Sequence, residues 1–134
     1  MALVDHLGIT VADLARGRAQ FHPVLTALGY EFGTEDEGGI SWHHGDETEI
    51  IIFAPLVESA APHEHGRVGW QHLAFSVDSP GEVDRLHAVA VEAGWKVVRA
   101  PKLFPRFNER YYASFVEDDN GLRFEFMYNP PRES

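Results

Sequence analysis

Three side chains hold the most chemical potential in this chain: His6, His72 and Glu125. His6 opens the run His6-Leu7-Gly8-Ile9-Thr10-Val11, and His72 opens His72-Leu73-Ala74-Phe75-Ser76-Val77. The order in both is histidine, leucine, small, large apolar, hydroxyl, valine. Successive side chains of a strand alternate faces. Leu7, Ile9 and Val11 then share one face, and His6, Gly8 and Thr10 the other. The second run divides the same way. The branched face must meet a helix, so each imidazole has only small neighbours on its own face. Two imidazoles in such a groove are suited to share a metal ion. A lone strand histidine is more often a core residue bonded to backbone; recurrence at equivalent places is what singles these two out. Glu125 adds a carboxylate between Phe124 and Phe126, where an acidic group needs a partner. Two neutral imidazoles and one carboxylate leave positions for substrate or water. That donor set serves Fe(II), and also suits Zn(II), Mn(II), Ni(II) or Co(II) as Lewis acids.

The elements that must place these groups follow from an internal duplication. Ala27-Leu28-Gly29-Tyr30 is answered by Glu92-Ala93-Gly94-Trp95 at nearly the offset that relates the two histidines. The chain then reads as one domain, 1–134, built of modules 1–55 and 69–134. The linker 56–68 carries Pro, Gly, Ser and charges without periodicity. Each module reads strand, helix, then strands. The second helix has Ser79 as N-cap, Pro80 as first residue and Glu82 as third. Val83, Leu86, Ala90 and Ala93 form its apolar stripe, and Gly94 closes it. The first helix starts at Asp13, buries Leu14, Phe21, Leu25 and Leu28, and ends at Gly29. Pro23 is expected to kink or break it. Further strands are expected at about 30–33, 40–44 and 48–54, then at 95–99, 110–117 and 122–128. Glu117-Asp118-Asp119-Asn120-Gly121 reads as a tight turn.

Composition narrows the partners. A chain of 134 residues is one domain by default. It has no cysteine, which removes disulfide scaffolds, zinc fingers, iron–sulfur clusters and thiol nucleophiles, and fits a cytoplasmic location. The formal charge of −10 speaks against nucleic acid and would tolerate a cationic ligand. The N-terminus is too polar and too poor in basic residues for a signal peptide. No run approaches the ~20 apolar residues of a membrane span.

The order His6, Gly29-Tyr30, the run His72–Val77, Tyr112, Phe115 and Asp119-Asn120-Gly121-Leu122-Arg123-Phe124-Glu125 resembles the vicinal oxygen chelate superfamily. That group holds glyoxalase I, type I extradiol dioxygenases, fosfomycin-resistance thiol transferases and bleomycin-resistance proteins. The resemblance covers nearly the whole chain. It implies an α+β fold of two βαβββ modules in a cupped eight-stranded mixed sheet around one divalent metal, and a homodimer. It puts His6, His72 and Glu125 at three ligand places, and makes Glu125 and Tyr112 the catalytic candidates. A fourth ligand place falls on Ile51 when matched by Pro55, and on Glu49 when matched by spacing from Gly45. Both lie on one strand face, so alternation does not decide. The buried character of Ile50, Ile51, Ile52 and Phe53 favours Ile51. A three-ligand site would follow, as in the dioxygenase and fosfomycin branches; Glu49 would give a four-ligand site nearer glyoxalase I. Phe21-His22 stands where many members have an aromatic pair. The basic residues of fosfomycin transfer are not evident, and Gly8 stands where a threonine would serve. Arg16, Arg18 and Arg106 are unspecific candidates for a glutathione site.

The expected function is a metal-dependent enzyme that chelates two adjacent oxygens of a small substrate. The chemistry is either glyoxalase-type isomerase or lyase, or extradiol-type dioxygenase. The alternative is a metal-free, ligand-sequestering protein of the bleomycin-resistance type; a vestigial metal site is the third reading. The other histidines carry less. His43 and His44 face opposite ways on a strand. His63 and His65 fall on a surface loop, and His87 on an exposed helix face. Tyr111 and Tyr112 point to opposite faces, so one of them lines the cup. Asn108 and Arg110 lie on a long loop that could form a lid.

Overall fold

The computed structural model describes residues 2–58 and 61–130. The chain divides into two compact units, Met1–Pro62 and His63–Ser134. The division falls inside the expected linker, of which Ser59 and Ala60 lie outside the described residues. The first unit contains β1 (His6–Thr10), α1 (Leu14–Ala27), β2 (Glu31–Glu35), β3 (Gly39–His43) and β4 (Glu49–Phe53). The second contains β5 (Leu73–Ser76), α2 (Pro80–Glu92), β6 (Lys96–Leu103), β7 (Tyr112–Glu117) and β8 (Arg123–Tyr128). Each unit is therefore βαβββ, and the eight strands form two four-stranded mixed sheets. The orders are β1-β4-β3-β2 and β5-β8-β7-β6, so the last strand of each unit lies beside its first. That pairing is parallel in both units, and the remaining pairings are antiparallel. No helix among the described residues is long and apolar enough to cross a membrane.

The caps explain where the helices start and stop. The Asp13 side chain accepts from Arg16 N, and the Ser79 side chain from Glu82 N, in each case satisfying a helix-end donor. The Glu82 carboxylate goes to Arg85 instead of back to the cap. Gly29 and Gly94 close the helices with φ of 99° and 90°, a conformation that L side chains resist. The helices bury Phe21, Val24 and Leu25 in the first unit, and Val83, Leu86 and Ala90 in the second. Ile9, Ile40, Trp42, Ile50 and Ile52 complete the first core, and Val116, Phe124 and Phe126 belong to the second.

Three expectations change. α1 runs through Pro23 without a break. Proline removes one helical N–H, but Phe21, Val24 and Leu25 are buried on both sides of it, and that burial holds the helix together. β6 extends past Arg99 to Leu103, through Pro101. It is an edge strand with register shifts between Val97 and Lys102, where a missing N–H is tolerated. His87 is only part-exposed, and its Nδ1 is enclosed with no hydrogen-bond partner.

His87 gives a pH prediction. Burial lowers its pKa from the ordinary 6.5, and Asp84 opposes the shift. Below 6.5 the unfolded chain then takes up a proton at this position that the folded chain resists. The contribution to stability is present above 6.5 and is lost as pH falls through the folded value. Denaturant unfolding at about pH 8 and about pH 5.5 should show wild type losing more stability on acidification than His87→Gln. Equal losses would rule this out.

Candidate functional site

The second sheet has one face under α2 and one face free of it. Cross-strand partners share a face, and the register pairs Ala74 with Glu125 and Phe115 with Glu125. His72, Ala74, Phe115 and Glu125 therefore belong to the face away from α2. Phe124 and Phe126 alternate to the helix side, where they stack on Phe75.

Glu125 is 2% exposed, so it is no solvated surface acid. Its two oxygens have different partners. Oε2 accepts from the Tyr111 hydroxyl at 2.5 Å, and Oε1 lies 3.2 Å from His72 Nε2. Burial raises the Tyr111 pKa far above the ordinary tyrosine value; the hydrogen bond to Glu125 and the carboxylate charge push the same way. Tyr111 therefore remains a protonated donor and fixes how the carboxylate is turned. His72 is 37% exposed and forms the open side of the pair. Its ring meets Phe115 edge-on at 5.7 Å. Phe104 contacts Phe107, Tyr111 and Phe115, making an aromatic wall beside the carboxylate.

Both ring nitrogens of His72 have polar neighbours. Nδ1 bonds Gln71 Oε1, and the Gln71 amide nitrogen lies 3.4 Å from His65 Nε2. The Gln71 side chain therefore lies between the His65 and His72 rings. Nε2 is left facing a carboxylate oxygen. Two such atoms need positive charge between them, either a proton on the ring or a metal ion. Two donors about 2.1 Å from one ion, at angles between square and tetrahedral, stand about 3.0–3.4 Å apart. The observed 3.2 Å falls in that interval, so the pair fits a divalent ion.

The first unit supplies less. His6 sits on β1 with Nδ1 at 2.8 Å from Asp5 Oδ2. Its cross-strand partner is Glu49, and that of Gly8 is Ile51. In the second unit the partner of Ala74, the repeat-mate of Gly8, is Glu125. Ile51, and not Glu49, thus occupies the place that Glu125 takes in the other unit. No group of three or more His, Cys, Asp or Glu side chains among the described residues is arranged to hold a metal ion. The expected donors that come together are His72 and Glu125; His6 belongs to the other unit.

Tyr112, the expected catalytic tyrosine, points away from Glu125. Its hydroxyl donates to Asp84 on α2 at 2.7 Å, because Tyr112 has the parity of Ser114 and Val116 on the helix side. Tyr111 is the tyrosine at the carboxylate. The signal for this was the β7–β8 register, which pairs Phe115 with Glu125 and puts odd-numbered β7 residues on its face. His63 is more than a loop residue: its N–H donates to Asn120 O and its Nε2 contacts Trp70 O, both at 2.8 Å. His43 faces Glu31, and His44 packs on Tyr30. Asn108 accepts from Arg110 N and donates to Asn129, which ties down the loop before β7.

The matched family model is the Glyoxalase/Bleomycin resistance protein/Dioxygenase superfamily, over residues 3–126. The chain belongs to that superfamily. It is similar to protein YqjT of Bacillus subtilis (strain 168), itself uncharacterized, at 28% identity over 92% of this chain and 97% of that one. A Bacillus halodurans crystal structure provisionally named a glyoxalase superposes with TM-score 0.79 at 26% identity, over 95% of this chain and 96% of the other. A glyoxalase/bleomycin resistance protein from Albidiferax ferrireducens T118 shares the fold at TM-score 0.77 and 20% identity, over 95% and 99% of the two chains.

Proposed function

We propose that this protein is a metal-dependent enzyme that binds a small substrate through two adjacent substrate oxygens. Its donors would be His72 and Glu125, with His6 third. The reading is carried by the His72–Glu125 pair: a buried carboxylate, turned by Tyr111, with one oxygen 3.2 Å from an imidazole nitrogen. A divalent ion held there would supply Lewis-acid stabilisation of charge developing on the substrate oxygens. The chain's own residues do the rest. Tyr111 keeps its proton and anchors Oε2. Phe115, opposite Glu125 across the β7–β8 pairing, flanks the carboxylate, whose near-complete burial strengthens the charge interactions there. Ile51 holds in the first unit the place that Glu125 takes in the second, and it carries no metal donor. Such a three-donor set favours the dioxygenase branch over the four-donor isomerase. We place the working form in the cytoplasm as a homodimer.

Untagged protein should carry about one divalent ion per chain by elemental analysis. His72→Ala should hold less than a tenth of that while keeping its circular dichroism. Loaded wild type is then assayed with catechols in air and with hemithioacetals. Full metal content in His72→Ala, or none in wild type supplied with Fe(II), Zn(II) or Co(II), would end this reading.

A further inference from the structure

We infer that Lys102 and Arg106, carried on Phe104 and Phe107, form a subsite for the acidic end of an aromatic substrate, so that the substrate class is an aromatic carboxylate. The inference rests on the small-substrate reading above, and names the class of molecule that the same face takes. The formal charge of the chain is −10, yet five of its 11 basic residues fall within 96–110, with Glu109 the sole acid there. Lys102 pairs across the strands with Ala113, two residues before Phe115. It therefore belongs to the face away from α2, the face of Glu125.

Phe104-Pro105-Arg106-Phe107 is a tight turn. Phe107 N donates to Phe104 O at 3.0 Å, and Pro105 holds the second position with its φ preset. The turn stacks the two phenyl rings at 5.8 Å, and both meet Tyr111 edge-on. Its base is closed by Phe104 N, which donates to Tyr111 O at 2.8 Å. The rings are thus tied to the tyrosine that holds Glu125. Lys102 Nζ stands 5.0 Å from the centre of the Phe104 ring, and the Arg106 guanidinium 5.6 Å from that of Phe107. Attraction to a ring face holds a cation in place without cancelling its charge. Arg18, Arg85 and Arg123 differ, since each is paired with a carboxylate. Lys102 and Arg106 make no ion pair among the described residues, and both are exposed. Phe107 is 55% exposed, a large apolar surface beside two charges. A second ring can pack there while its carboxylate meets the cations. An aliphatic anion forgoes the ring contact, and an aromatic cation is repelled.

The test uses metal-free protein, so that binding is read without the ion. Protein labelled with 15N is titrated with phenylacetate, and for comparison with acetate, benzyl alcohol, 2-phenylethylamine and glutathione. Phenylacetate should bind most tightly and shift the backbone amides of Phe104, Arg106, Phe107 and Tyr111. Lys102→Glu or Arg106→Glu should each weaken it by about 10-fold or more, through a lost charge-assisted contact and a new repulsion. Phe107→Ala should weaken it by about 3-fold or more. Lys96→Glu makes the same change in net charge at the start of β6 and should leave binding as it is. All four variants change exposed side chains, so amide spectra elsewhere should match wild type. Failure of phenylacetate to bind, or binding of any comparison compound as tightly, would overturn the proposal. So would shifts that fall outside Phe104–Tyr111, or equal weakening by Lys96→Glu. Failure of wild type to hold any divalent ion would sink the metal reading instead, while this titration would still report the subsite.

Discussion

Glu125→Gln should abolish metal retention while leaving the metal-free fold intact. The substitution keeps the shape of the side chain and removes its charge. A ligand-place carboxylate that becomes an amide should cost more than the roughly 10–100-fold typical of an outer-shell partner. We expect an affinity loss above about 100-fold by Co(II) or Zn(II) titration, with metal-dependent turnover lost in step. The metal-free variant should unfold within about 1 kcal/mol of metal-free wild type, because the amide keeps the shape of the side chain and an oxygen for the Tyr111 hydroxyl, and burying a charge is costly even when it is paired. Tyr111 offers a second readout. Its pKa is raised by burial first, then by Glu125 through a hydrogen bond and charge. The substitution removes the charge and leaves burial and an amide oxygen that can accept from the hydroxyl, so ultraviolet titration should find Tyr111 ionising at lower pH than in wild type, yet still above the ordinary tyrosine value. Unchanged metal affinity would remove Glu125 from the donor set.

Gly121→Ala should be the most destabilising single-methyl addition in the second unit. Gly121 has φ of +76° and closes the turn between β7 and β8. A Cβ built there would stand 1.8 Å from the His63 carbonyl oxygen. The turn cannot slide aside. The Asp118 carboxylate accepts from Asn120 N at 3.0 Å and Leu122 N at 2.9 Å, while His63 N donates to Asn120 O at 2.8 Å. The left-handed backbone costs about 1–2 kcal/mol, and opening the His63 contact adds a further loss. We expect about 3 kcal/mol or more, read as a Tm lower by roughly 10 °C. Gly45→Ala is the control. Gly45 has φ of +52° but nothing within 4 Å of its Cβ, so it should lose only the backbone part. Equal losses in the two variants would show that His63 yields freely. Glu125 lies four residues beyond Gly121, so the same variant should also loosen the site.

The elements whose signals are local could be read from the residue order. Ser79, Pro80 and Glu82 announced α2, and Gly29 and Gly94 announced both helix ends, because cap and left-handed positions depend on few neighbours. The duplication could be read for a different reason: a repeated pattern of faces is hard to reach by chance. What escaped depended on partners distant in sequence. Pro23 argued locally against a continuous helix, and burial by β3 and β4 overrode it. Alternation separated Tyr111 from Tyr112 correctly. Which of them met Glu125 depended on the β7–β8 register, a relation between strands that neither strand states alone. The choice between Ile51 and Glu49 was of the same kind, and the β1–β4 pairing resolved it.

The placing of β4 and β8 between earlier strands bears on how the polypeptide emerges from a ribosome. Until Phe53 has been made, β1 has no sheet neighbour, since β4 is the strand that joins it to β3. The same holds for β5 until Tyr128 appears. Nascent chains cut short before either point would leave a parallel strand orphaned and an apolar helix face unsealed. Premature stops within the final strand should therefore yield chaperone clients, not shortened versions of the native protein.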